Sequence, residues 1–128
     1  MDTLLALDSL ANELERMPLL KGLPRKSLIE IARFSEIREA KKKEIVLNKG
    51  AIGEHLLFLL KGRLQVTDIT ESGREIGLNL LKPGDYAGEL SVIDGGLRSA
   101  SVVAIEPSRI ALLPRQQALD LFHGNPLI

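Results

Sequence analysis

Cysteine and tryptophan are absent from this 128-residue chain, histidine occurs twice, and the aromatics are one tyrosine and three phenylalanines. Without cysteine there is no disulfide framework and no thiolate metal site, an absence that fits a reducing compartment. Aromatic residues make up 3% against a hydrophobic share of 45%, so any core has to be aliphatic. An excess of one charge is lacking too: 17 Lys+Arg balance 17 Asp+Glu. That balance argues against a surface that coats nucleic acid, which needs a strong positive excess. Long apolar runs are missing. The most apolar stretch, Leu56 to Leu60, is far short of the ~20 residues of a membrane helix. Asp2 and Asp8 stand where a secretory leader carries a positive region and an unbroken apolar run. We therefore expect a soluble, cytoplasmic protein with no membrane association. Its length predicts a single domain over residues 1–128, large enough to bury a core.

The same scarcities weigh against catalysis. Metal-dependent oxygenases and isomerases on β-rolls use two or three histidines with a carboxylate, whereas His55 and His123 each lack a nearby histidine. No Gly-x-Ser-x-Gly elbow occurs, and no Gly-Lys-Ser/Thr phosphate loop. The expectation is a protein that is not an enzyme, with no metal and no resident cofactor.

What is present has a clear order. Leu4, Leu7, Leu10, Ala11 and Leu14 recur at helical spacing up to Met17-Pro18, and Pro24 opens a second helix with Leu28, Ile31 and Ala32 on one face. From about residue 36 the period becomes two. Arg63 to Thr67 alternates, and Ile76, Leu78 and Leu80 share one face of the next run. Turn signals interrupt at short intervals: Lys49-Gly50, Lys61-Gly62, Glu71-Ser72-Gly73 and Lys82-Pro83-Gly84-Asp85. Pro114 opens a last helical pattern, stopped by Gly124-Asn125-Pro126. About eight short strands with no helix between them long enough for a parallel crossover predict a mainly β fold. We expect an antiparallel eight-stranded β-roll over 36–113, with helices over 1–35 and 114–123. Lys41-Lys42-Lys43 reads as a solvated turn.

The stretch GELSVIDGGLRSA, residues 88–100, is the candidate site. Glu89-Leu90-Ser91-Val92-Ile93 suffices for a short helix whose first N–H groups lack intrahelical partners and can face an anion. Asp94-Gly95-Gly96 reverses the chain and returns Arg98 beside that helix start. A guanidinium, free N–H groups and the Ser99 hydroxyl suit a phosphate, while the Glu89 carboxylate suits a sugar hydroxyl. Together these point to a compact nucleotide. The same residues allow a plain Glu89–Arg98 surface ion pair, worth ~0–1 kcal/mol. Tyr86 is expected to pack the preceding turn. Gly77 and Asn79 are expected to share a strand face, which fits a cavity wall and a solvated face equally.

LKPGDYAGELSVIDGGLRSASVVA closely resembles the phosphate-binding cassette of the cyclic-nucleotide-binding domain family. That family includes catabolite-activator-type regulators, regulatory subunits of cyclic-AMP-dependent kinase and cyclic-nucleotide-gated channels. PLLKGLPRKSLIEIA resembles its helical entry, and KGAIGEHLLFLLKGRLQV its early strands, so the likeness spans about residues 16 to 123. The resemblance implies cAMP or cGMP as ligand. It implies that Glu89 accepts from the ribose 2′-hydroxyl, that Arg98 pairs with the cyclic phosphate, and that Ser99 contacts it. The N–H groups of Leu90 and Ser91 would complete the cradle, with Gly88 and Ala100 keeping the backbone close. It also implies a sensor that relays occupancy to a carboxy-terminal element, within a transcription regulator or another bacterial effector. The alternative is an interaction or sensor domain on the same roll that takes a different effector or none. Family members continue into a long capping helix that often dimerises. This chain stops at Ile128, so we expect it to be mostly monomeric, even where a longer parent is a dimer. On the same resemblance we expect Arg98 to face open water when no ligand is bound.

Overall fold

The computed structural model describes residues 3–69 and 75–124. The expected Glu71-Ser72-Gly73 turn and Asn125-Pro126 stop lie outside the described residues. Helix α1 (Thr3–Glu15), a 3-10 turn (Pro18–Leu20) and α2 (Arg25–Phe34) come first. Eight strands follow: β1 (Glu36–Ala40), β2 (Ile45–Leu47), β3 (His55–Lys61), β4 (Leu64–Ile69), β5 (Glu75–Leu81), β6 (Tyr86–Ala87), β7 (Ser101–Ala104) and β8 (Ser108–Pro114). Short helix α3 (Glu89–Asp94) sits between β6 and β7, and α4 (Arg115–Gly124) follows β8.

The strands form two four-stranded antiparallel sheets, ordered β1-β8-β3-β6 and β2-β7-β4-β5. This is the expected β-roll with flanking helices. Burial explains why its strands look unlike one another in sequence. Leu56, Leu57, Phe58 and Leu59 of β3 are all 0% exposed. Leu56 and Phe58 pack with Leu10, Leu14, Leu28 and Ile31 of the helical layer, whereas Leu57 and Leu59 pack with Leu47, Leu64 and Val102 inside the roll. Strand β8 does the same, with Ala111 and Leu113 toward the helices and Ile110 and Leu112 toward the interior. The first sheet is thus covered on both faces, so its two central strands are apolar runs. The second sheet is covered on one face, so β4 alternates.

Two local details depart from expectation. Pro114 is the last residue of β8 and precedes α4, much as Pro24, in extended conformation, caps α2. Proline is tolerated at such a boundary because its missing N–H breaks no intrahelical bond. The second detail is in β5. Val66 pairs with Asn79 and Thr67 with Gly77, so Leu78 is the extra residue of a bulge. The bulge splits Gly77 from Asn79, which the alternating pattern places on one face. A Cβ on Gly77 would meet the Gln65 side chain; Gln65 stands opposite Leu80, which is 59% exposed. Asn79 instead points at the cavity described below.

Phe58 is the largest fully buried side chain and fills the seam between the first sheet and the helices. Phe58→Ala should lower the unfolding free energy by about 3–5 kcal/mol, read as a fall in the urea midpoint with an unchanged slope.

Candidate ligand-binding site

The segment from Lys82 to Arg98 is fastened to the first sheet before it reaches any ligand. Gly84 N donates to Leu59 O and Leu59 N to Asp85 O, both at 2.9 Å, and Lys82 N donates to Asp85 Oδ2 at 2.9 Å. Tyr86 and Ala87 then pair with Phe58 and Leu57 of β3. Gly88 takes a left-handed conformation at φ 89° and caps α3. Only a residue without Cβ adopts this backbone cheaply, and here a Cβ would also strike the Arg98 guanidinium. Helix α3 buries Ser91 and Val92 and leaves Ile93 exposed. It ends at Gly95, φ 71°, where Gly96 N donates to Asp94 Oδ1 at 2.6 Å.

The return strand is zipped to the loop before β3. Gly50 N donates to Arg98 O at 2.9 Å, Arg98 N to Ala51 O at 2.8 Å, and Gly53 N to Gly96 O at 3.3 Å. This brings Arg98 back beside the start of α3, as the Asp94-Gly95-Gly96 reversal predicts. Its Nη2 donates to His55 O at 2.7 Å, and Nη1 makes a longer contact with Gly88 O at 3.5 Å. Arg98 is only 6% exposed. It therefore does not face open water, contrary to expectation: main-chain carbonyls of β3 and of the cassette hold it in place. Among the described residues no ion pair joins Arg98 or Glu89 to an opposite charge, so the Glu89–Arg98 pair is not formed. Burial pushes the Arg98 guanidinium below the usual arginine value, yet arginine stays charged at any physiological pH.

A cavity of about 230 Å³ opens beside this cation. The cassette contributes Gly88, Glu89, Ser91, Arg98, Ser99 and Ala100 to its wall; the second sheet contributes Leu47, Val66, Asn79, Leu81 and Val102; Tyr86 and Ala87 complete it. Six of the seven expected site residues thus line one cavity. The seventh, Leu90, lies in the first turn of α3, where its N–H is among those without an intrahelical acceptor. Volume alone does not single out this site. Hollows of about 330 Å³ between α2 and α4 and about 450 Å³ on the outer face of the second sheet are larger. Neither contains a buried, unpaired cation.

Three contributors escape sequence reasoning. The His55 carbonyl holds Arg98, and no side-chain pattern announces a carbonyl. Gly53 lies against α3: a Cβ there would sit 2.5 Å from the Ser91 main-chain carbon and 2.6 Å from its oxygen. Arg115, the first residue of α4, donates from Nε to Val92 O at 2.8 Å. The Gly53 turn glycine was the one available signal.

A family model described as the cyclic nucleotide-binding domain matches residues 37–125, which include the whole cassette. The chain belongs to this family. A cyclic AMP receptor protein from Thermus thermophilus is 31% identical over 111 residues, covering 87% of this chain and 51% of that protein. Human cGMP-dependent protein kinase 2 is 33% identical over 96 residues, covering 74% of this chain and 13% of the kinase. A Trypanosoma cruzi regulatory subunit of a cAMP-independent protein kinase A, bound to guanosine, shares the fold with TM-score 0.84. It is 23% identical and covers 95% of this chain and 43% of that one. This cyclic nucleotide-binding domain therefore spans about half of the bacterial relative and a small part of the kinase. Among the described residues no group of three His, Cys, Asp or Glu could hold a metal ion, and no helix is long and apolar enough to cross a membrane.

Because the loop at Gly53 touches α3 main chain, which cannot swing aside as a side-chain tip can, Gly53→Ala should displace the cassette helix. We expect a cost of about 1–3 kcal/mol, seen as a lower denaturation midpoint. An unchanged midpoint would show that the 49–53 loop can retreat.

Proposed function

We propose that this domain binds a cyclic nucleoside monophosphate, cAMP or cGMP, and acts as a non-catalytic sensor. The observation that carries this reading is Arg98, a buried guanidinium at the wall of the cavity that has no carboxylate partner among the described residues. Two of its five N–H donors serve the carbonyls of His55 and Gly88. The rest are free for the paired acceptors of a phosphate. In this reading the Ser99 hydroxyl and the N–H groups of Leu90 and Ser91 complete the phosphate cradle. Glu89, bound to no cation among the described residues, accepts from the ribose 2′-hydroxyl, while Gly88 and Ala100 let the backbone approach. Leu47, Val66 and Val102 give the base and sugar an apolar wall.

Occupancy would reach the helical layer through α3. Val92 is 0% exposed in the helical core, and its carbonyl is held by Arg115 of α4. A shift of α3 is therefore felt by α4 and by whatever follows it in a longer protein. A cAMP-activated global transcriptional regulator from Pasteurella multocida, 33% identical over 91 residues, makes a transcription regulator the favoured parent, with the domain itself touching no nucleic acid. A second reading, a roll tuned to another effector, draws on the guanosine-bound Trypanosoma structure, since a shared fold does not fix the ligand.

The test is a thermal-shift screen of the domain with cAMP, cGMP, 5′-AMP and 5′-GMP. A ligand at 100 times its Kd stabilises by about 2.7 kcal/mol, which should raise the Tm by roughly 6–15 °C. The cyclic forms should shift the midpoint and the open monophosphates should not. No shift with either cyclic nucleotide at millimolar concentration would favour the second reading.

A further inference from the structure

We infer that the outer face of the second sheet is a docking surface for an acidic amphipathic helix of a partner protein. One cross-strand row runs through all four strands. Ile45 of β2 stands opposite Val103 of β7, Val103 opposite Gln65 of β4, and Gln65 opposite Leu80 of β5. Three of the four are aliphatic, and Ile45 and Leu80 are 49% and 59% exposed. An antiparallel sheet with one covered face usually turns polar side chains to water on the other. Single exposed aliphatics are ordinary, but a row continuous across a sheet marks an interaction site. The neighbouring row, Ser101, Thr67 and Gly77, carries small side chains. Ser101 and Thr67 line the hollow of about 450 Å³ on this face. The inner row of the same strands, Leu47, Val102, Val66 and Asn79, faces the nucleotide cavity, so the two sites lie back to back.

Charge decides what kind of partner fits. Lys42 and Lys43 also line the hollow. Their turn is tied to the end of β7: Lys43, the one non-glycine residue at positive φ among the described residues, donates from N to Ala104 O at 2.6 Å. The adjacent carboxylate is engaged elsewhere, since Glu44 accepts from Arg38 Nη2 at 2.9 Å and from Lys41 N at 3.1 Å. Among the described residues no ion pair involves Lys41, Lys42 or Lys43. Cations beside an apolar hollow complement carboxylates beside an apolar stripe. The main chain of the face is spent on its own ladders, so an extended peptide would go to a sheet edge, whereas a helix packs its stripe on the face itself. A flat bilayer leaves a concave hollow unfilled, and a second copy of this face brings lysines where carboxylates are needed.

The experiment titrates the full chain with a synthetic amphipathic helical peptide, leucines on one face and glutamates flanking them, and with the same peptide carrying lysine for glutamate. The acidic peptide should bind, with its largest amide resonance shifts at Ile45, Gln65, Leu80 and Val103, and should weaken as salt rises from about 0.01 M to about 1 M. Leu80→Thr should raise its Kd about 5- to 20-fold through lost apolar contact, and Lys42→Glu about 3- to 10-fold through charge reversal. Both positions are exposed, so the Tm of either variant should match the wild type. No binding of the acidic peptide would overturn the inference, as would equal binding of the lysine peptide. Largest shifts at the cassette or between α2 and α4 would do the same, and so would two variants that bind like the wild type. Binding to vesicles of phosphatidylglycerol and phosphatidylcholine in place of the peptide would make the face a membrane surface instead. A dimer in sedimentation that is lost in both variants would make it a contact between copies.

Discussion

The Arg98 guanidinium rests on two main-chain carbonyls, those of His55 and Gly88, with 6% of the residue exposed. Taking a cation out of water costs several kcal/mol, and an opposite charge is the usual compensation. Carbonyl dipoles return only part of that cost. Much of the surrounding architecture serves to hold this arrangement. Strand β3 is buried on both faces and gives His55 a rigid foundation. Gly88, having no Cβ, leaves room for the guanidinium. The ladder between residues 50–53 and 96–98 fixes the return of the chain. A bound phosphate would supply the missing negative charge in a place where few water molecules compete for it.

The cassette helix belongs to two environments at once. Its N-terminus and Ser91 face the cavity, while Val92 lies in the core shared by α1, α2 and α4. Gly53 presses on the Ser91 main chain from one side, and Arg115 holds the Val92 carbonyl from the other. A ligand that favoured one position of α3 would thereby bias the packing of the helical layer. Such coupling is limited by the difference in ligand affinity between the two arrangements.

Much of this was legible in the sequence, for identifiable reasons. Helical spacing around Leu10, Ala11 and Leu14 marks a buried face, and those residues are 7%, 0% and 0% exposed. Glycine at 88 and 95 announces two left-handed turns, which both occur. The cassette residues converge because a short helix and a glycine reversal allow little else. What the sequence hid was non-local. The bulge at Leu78 depends on how β5 pairs with β4, so a period-two reading misplaces Gly77 relative to Asn79. The burial of Arg98 depends on a carbonyl 43 positions away, and no residue type encodes that.

The most direct measurement is calorimetric titration of the wild type and of Arg98→Ala with the cyclic nucleotide that the wild type binds. If Arg98 holds a desolvated phosphate, removing it leaves that charge unpaired. Affinity should then fall roughly 30- to several-thousand-fold. Arg98→Lys should also bind more weakly, because an ammonium cannot reproduce the planar fork. Equal affinities for the wild type and Arg98→Ala would contradict the account at its centre.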